Sequence, residues 1–163
     1  MTQLSPHFSL AELTHSDTAI RLGLDNAPSD AELLNLSALA TTVLEPARAA
    51  CRVPLNVNDG YRGPAVNQAV RGVAHSAHQD GRAADVVPRG ISLSEGFDRI
   101  RRDPAIPFDQ CILELTASGG CIHLACARVG ETPRRQALIR GGAPGAWTYT
   151  TAPAVVPLPS HGA

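Results

Sequence analysis

The chain has 163 residues, 44% of them hydrophobic and 18% charged, which describes one globular domain with a real core and excludes disorder. Fourteen basic residues against fifteen acidic leave a net charge of -1, so no broad basic field invites nucleic acid or an anionic membrane. Lysine is absent, which excludes a Walker-type phosphate loop, a Schiff-base lysine and a Ser-Lys dyad.

Ser9 and Glu12 have capping-box spacing and predict a short helix, and Gly23 closes a second helical piece that starts near Ser16. Ser29 and Glu32 repeat the spacing. Leu33, Leu36, Leu39, Ala40, Val43 and Leu44 then share one helical face, with Pro46 expected to kink or end the helix. Val53 to Asn58 alternates like a half-buried strand ahead of the turn residues Asp59 and Gly60. Pro64 to Val70 reads as a helix with Pro in its first turn, Gly72 to Gly81 as a polar loop, and Ala83 to Val87 as an apolar strand. Ser92 and Glu95 cap a helix that runs to about Arg102, before Pro104.

Phe108 to Leu115 and Cys121 to Ala127 predict a hairpin joined by a Gly-rich turn, and Arg135 to Ile139 one more strand. From Thr150 onward Pro and Ala dominate, so residues 1–149 are expected to form one domain and 150–163 a flexible tail. Helices first and mainly antiparallel strands afterwards is an α+β pattern.

Met1 to Leu10 has neither a basic n-region nor a long apolar run, so no secretory signal is expected. No uninterrupted run of about eighteen apolar residues encodes a membrane span. Cys51, Cys111, Cys121 and Cys126 form no CxxC pair, and reduced thiols are the expectation.

The densest set of reactive side chains is the string from Ser76 to Asp85. His78 and Asp85 stand seven residues apart with Gly81 between them, so a loop folding back would bring them together. Imidazole and carboxylate both ligate zinc, and a catalytic zinc takes three protein ligands plus an open position. His123, on a later strand, is the third candidate. Spacing alone leaves a solvated loop open as the alternative.

The segment Asp59-Gly60-Tyr61-Arg62-Gly63-Pro64, then Val66-Asn67, then Ser76-x-His78-x-x-Gly81-x-Ala83-x-Asp85, resembles the zinc D-alanyl-D-alanine carboxypeptidase family. Phe108 to Glu114 and Cys121-Ile122-His123 resemble that family's closing strands. Phe8 to Leu13 and Asp25 to Pro28 look like its phage and prophage branch, whose members are cell-wall endolysins. The resemblance runs over residues 8–127 and implies a hedgehog/DD-peptidase-like fold with helices on one face of the sheet.

It also implies Zn2+ held by His78, Asp85 and His123, with Glu114 as catalytic base. Arg62 would bind a substrate carboxylate or carbonyl with its planar fork, and Ser76 would hydrogen-bond the substrate. The implied activity is cleavage of the stem peptide of bacterial peptidoglycan. The protein would be a monomer, made in the cytoplasm and acting on the cell wall after release or export. Two departures stand out: Cys121 replaces the family's usual tryptophan two residues before the histidine, and Glu114 lies nine residues from His123.

Asp80 and His75 are the other candidates for the base, although His75 reads as a solvent-facing loop residue. Trp147 and Tyr149 fit either a wall-binding surface or packing on the core. Two competing functions remain. One is a cysteine peptidase pairing Cys111, Cys121 or Cys126 with His123; the other is a non-catalytic wall-binding or virion module.

Overall fold

A computed structural model describes residues 2–116, 119–143 and 146–153. Six strands form one mixed sheet in the order β1-β2-β4-β3-β5-β6. They are β1 (Leu55–Asp59), β2 (Ala83–Pro88), β3 (Phe108–Thr116), β4 (Gly119–Cys126), β5 (Gln136–Ala143) and β6 (Ala146–Thr151). Every pairing is antiparallel except β3 with β5, which is parallel. The expected α+β architecture is the one found.

The helices are α1 (Leu10–Thr14), α2 (Asp17–Leu22), α3 (Asp30–Leu39), α4 (Glu45–Cys51), α5 (Pro64–Ala69) and α6 (Leu93–Arg102). Their starts follow the capping signals. Ser9 and Glu12 form the reciprocal box, Ser92 accepts from the Glu95 amide, and Gly23 closes α2 in the left-handed conformation. Pro46 neither ends nor breaks the long helix. A π-helical turn at Ala40–Leu44 absorbs it, and α4 continues with Pro46 in its first turn, where no amide hydrogen is needed.

Leu36, Leu39, Val43, Leu44 and Ile100 bring the helices onto one face of the sheet. They meet Ala84 and Val86 of β2, Cys111 and Leu113 of β3, and Ile122 and Leu124 of β4. The intervening residues of the same strands, Asp85, Ile112, Glu114 and His123, therefore rise from the opposite face, since side chains alternate along a strand. Among the described residues that face carries no helix layer, and it forms the floor of a cleft.

The β3–β4 hairpin is present, with turn residues 117 and 118 outside the described residues. The strand expected at Arg135–Ile139 is longer than the sequence suggested and returns as β6. That second hairpin takes in Thr150 and Thr151, where a tail was expected, and the remainder of the tail, 154–163, lies outside the described residues.

Candidate metal centre and its cleft

His78 sits at the end of the polar loop, buried, and Gly81 turns the chain back toward β2. Gly81 has φ +67, and a Cβ there would meet the Glu32 carbonyl oxygen at 2.7 Å, so the loop needs glycine. Asp85 on β2 lies directly opposite His123 on β4. His78 Nε2, Asp85 Oδ1 and His123 Nδ1 consequently converge. Asp85 Oδ1 lies 2.9 Å from His123 Nδ1 and 3.4 Å from His78 Nε2, and the two ring nitrogens are 3.2 Å apart.

One ligand atom from each of these residues lies within 4.8 Å of the others, so the group could hold a metal ion. Two ligands about 2.1 Å from a tetrahedral zinc are separated by about 3.4 Å, close to the spacings found. Hydrogen bonding outside the trio favours the same arrangement. His78 Nδ1 lies 2.7 Å from the Gly60 carbonyl oxygen, so it donates there and leaves Nε2 with a lone pair for the cluster.

Gly60 reaches that position because its backbone runs against α1, where a Cβ would lie 2.3 Å from the Leu13 carbonyl oxygen. Burial pushes the Asp85 carboxyl up, but the charges and hydrogen bonds of His78 and His123 outweigh it and hold it well below the usual carboxylate range.

Arg62 stands beside the trio with both ends of its fork on carboxylates. Its Nε donates to Asp59 Oδ2 at 2.6 Å and its Nη2 to Asp85 Oδ2 at 3.0 Å. Asp85 thus turns one oxygen to the imidazoles and the other to the guanidinium. Ser76 is buried next to His78, whose amide donates to Ser76 Oγ at 3.3 Å.

Glu114 lies opposite Cys121 on β4, two pairs along from the Ile112–His123 pair. It shares the face with His123 diagonally, a relation that places Cα atoms about 7–8 Å apart. Its carboxylate is 2.5 Å from Arg140 Nη1, and Cys121 Sγ lies 3.8 Å from Oε2. Burial and the nearby negative charge of Asp85 raise Glu114 above the usual carboxyl value, with Arg140 pulling the other way.

The remaining candidates separate cleanly. Asp80 turns away from the trio and is tied to Arg82 at 2.8 Å and Arg128 at 3.2 Å. His75 is exposed on the cleft rim with φ 59. Asp109, also on the rim, is clasped by Arg134 at 2.6 Å.

Two contributors went unread in the sequence. Asp59 looked like a plain turn residue although it shares Arg62 with Asp85. Arg140 had no partner in sequence, and only the parallel β3–β5 register sets it against Glu114. The whole cleft encloses about 760 Å³ and is lined from Asp59 and Arg62 across His78, Asp85, His123 and Glu114 to Trp147 and Tyr149.

A mixed sheet covered on one side by helices, with a His–Asp–His trio on its open side, fits a metallopeptidase. The family model described as Peptidase M15 matches residues 6–123, well over half of the chain, and the protein belongs to that family. Membership implies a metallopeptidase, of a kind typically zinc-dependent, acting on peptidoglycan-like substrates. Compared with curated proteins, the chain has no significant match. Among the described residues, no helix is long and apolar enough to cross a membrane.

Proposed function

We propose that the protein is a zinc peptidase that cleaves the stem peptide of bacterial peptidoglycan, as a D-Ala-D-Ala carboxypeptidase or an endolysin-type endopeptidase. The observation that carries this reading is the convergence of His78 Nε2, Asp85 Oδ1 and His123 Nδ1 on the floor of an open cleft. These three residues would hold the ion. A zinc ion held there would supply Lewis-acid polarisation of the scissile carbonyl and a more acidic bound water.

Glu114 accepts the proton from the attacking water at a carboxylate oxygen and returns it to the leaving amine. Its raised pKa suits that double duty, because the returned proton must be held before it is given up. Arg62 fixes Asp85 through Nη2 and Asp59 through Nε, and orients the substrate carboxylate or carbonyl through Nη1. Ser76 offers its hydroxyl to the peptide beside His78. The catalytic domain in this reading runs through the end of β6 at Thr151, two residues past the expected boundary at 149, and the protein works as a monomer on the cell wall after release or export.

A thiol mechanism finds no support. Cys111 is in the core, on the helix-covered face, while Cys121 sits on β4 opposite Glu114, with its thiol against the Glu114 carboxylate. Burial raises the thiol pKa at Cys111, Cys121 and Cys126, the opposite of what a nucleophilic cysteine needs.

The test is digestion of purified peptidoglycan, read by mass spectrometry, with and without a chelator. Release of stem-peptide fragments that stops with chelator and returns with zinc is the expected result. Zinc binding with no fragment at any enzyme concentration would leave only the non-catalytic wall module.

A further inference from the structure

The β5–β6 hairpin follows the segment that carries the family match, yet it shares the cleft with the His78–Asp85–His123 trio. Trp147 and Tyr149 are two residues apart on β6, paired with Gly142 and Arg140, so both rings rise from the open face. Trp147 is 38% exposed and Tyr149 51%, whereas Phe8, Phe97 and Phe108 are buried.

The indole is held in place rather than loose. The Arg140 guanidinium lies 4.3 Å from its ring centre, and the same arginine is pinned to Glu114. Two partly exposed aromatic rings thus stand at the far end of a polar cleft.

We propose that Trp147 and Tyr149 form a carbohydrate platform that takes the glycan strand to which the stem peptide is attached; the inference rests on the peptidoglycan reading above. A pyranose ring has an apolar C–H face and a hydroxylated rim, so it stacks on an aromatic ring while its hydroxyls stay wet. Tyrosine and tryptophan suit such half-wet contacts, combining a large apolar body with a polar handle. An apolar peptide side chain would instead ask for an enclosed pocket.

The distance also agrees. β4 and β6 are three strand steps apart in the sheet order, about 14 Å at roughly 4.8 Å per step. An extended peptide covers that span with about four residues. A stem peptide a few residues long, with its far end over His123, brings its sugar end to β6.

The experiment measures binding of the intact protein to glycan strands freed of stem peptides by an amidase, and separately to free stem peptide. Wild type should bind bare glycan, and Trp147→Ala and Tyr149→Ala should each weaken that binding about tenfold. Trp147→Phe should recover most of it. Tyr149→Ala leaves the Arg140–Trp147 stack intact, so a loss there reports the platform and not a loosened hairpin.

No binding of wild type to bare glycan overturns the platform, as does undiminished glycan binding by both alanine variants. Loss of free-peptide binding alone in those variants assigns the rings to peptide and also overturns it. Turnover of free stem peptide by wild type reads the peptidase independently. Glycan bound without any cleavage removes the peptidase reading, and cleavage without glycan binding removes the platform.

Discussion

The two faces of the central strands are built from neighbouring residues and behave as different materials. On the helix-covered face, Val86, Leu113, Ile122 and Leu124 are buried among Leu36, Leu39, Val43, Leu44 and Ile100. On the open face, one residue away on each strand, stand Asp85, Glu114 and His123. The covered face gains from removing apolar area from water, about 25 cal/mol for each Å² buried. The open face gathers two imidazoles and several charged groups that only mutual pairing, or a cation, makes tolerable. A slip of one residue in register would exchange the two, so the hydrophobic pattern that fixes the register also fixes the chemistry.

The hardest test of this division is His78→Ala. It should empty the centre of zinc and abolish turnover while leaving the fold, whereas His75→Ala should keep the metal; elemental analysis of the folded proteins decides. A full zinc complement in the His78 variant would remove the trio as the ligand set. Glu114→Gln keeps size and polarity but loses the basic oxygen, so zinc should remain and the rate should fall by typically 10²–10⁴-fold. Near wild-type digestion by that variant would shift the base elsewhere on the rim, to His75.

On the covered face the expected loss is of stability. Leu124→Ala should cost about 2–5 kcal/mol in denaturant unfolding, with one zinc per folded molecule unchanged. Its neighbour His123→Ala should do the reverse, and a similar stability loss in both would contradict the comparison.

Arg62→Lys is a finer probe, because an ammonium cannot bridge Asp59 and Asp85 as the fork does. Turnover should fall about 10–100-fold, the range for groups that orient a metal ligand, with the fold intact. An unchanged rate would return Arg62 to a purely structural turn role.

The smallest expected effect is at the rim. The Arg134 hydrogen bonds hold Asp109 below the ordinary carboxyl value. The folded value is therefore lower than the unfolded one. The stabilisation is present above the ordinary carboxylate range and is lost as pH falls through the depressed value. Asp109→Asn should flatten that acid limb by no more than ~1 kcal/mol, because Arg134 is 59% exposed and its charge is screened by water. Melting temperatures between pH 2 and pH 7 measure it; an unaltered acid limb would show the pair to be inert.

Local signals announced most of the frame. Capping boxes marked α1, α3 and α6, alternation marked β1, and the Gly81 turn between His78 and Asp85 foretold their approach. The opposition of Asp85 and His123 was less accessible, because strand register is set by packing across the sheet and not by spacing along the chain. For the same reason Glu114 faces Cys121 while Ile112 faces His123, although the hairpin itself was evident.

Pro46 does not stop the helical run, because it falls in the first turn of α4 directly after the π-helical turn at Ala40–Leu44. The β5–β6 hairpin was hardest to foresee. Gly141 and Gly142 interrupt β5, and every residue of β6 is exposed, so neither strand shows a strong apolar period.

The parallel pairing of β5 with β3 has a consequence for the chain's behaviour among its own copies. From Gln110 to Glu114, β5 satisfies a row of β3 amides and carbonyls that would otherwise face outward. An uncovered β3, with Cys111, Ile112 and Leu113 in succession, would be a template for strand-by-strand aggregation. β5 closes that template, and the rim passes to β6, a short strand with three threonines at Thr148, Thr150 and Thr151. A chain ending after β4 would keep the trio and leave the β3 edge open to strand-by-strand pairing.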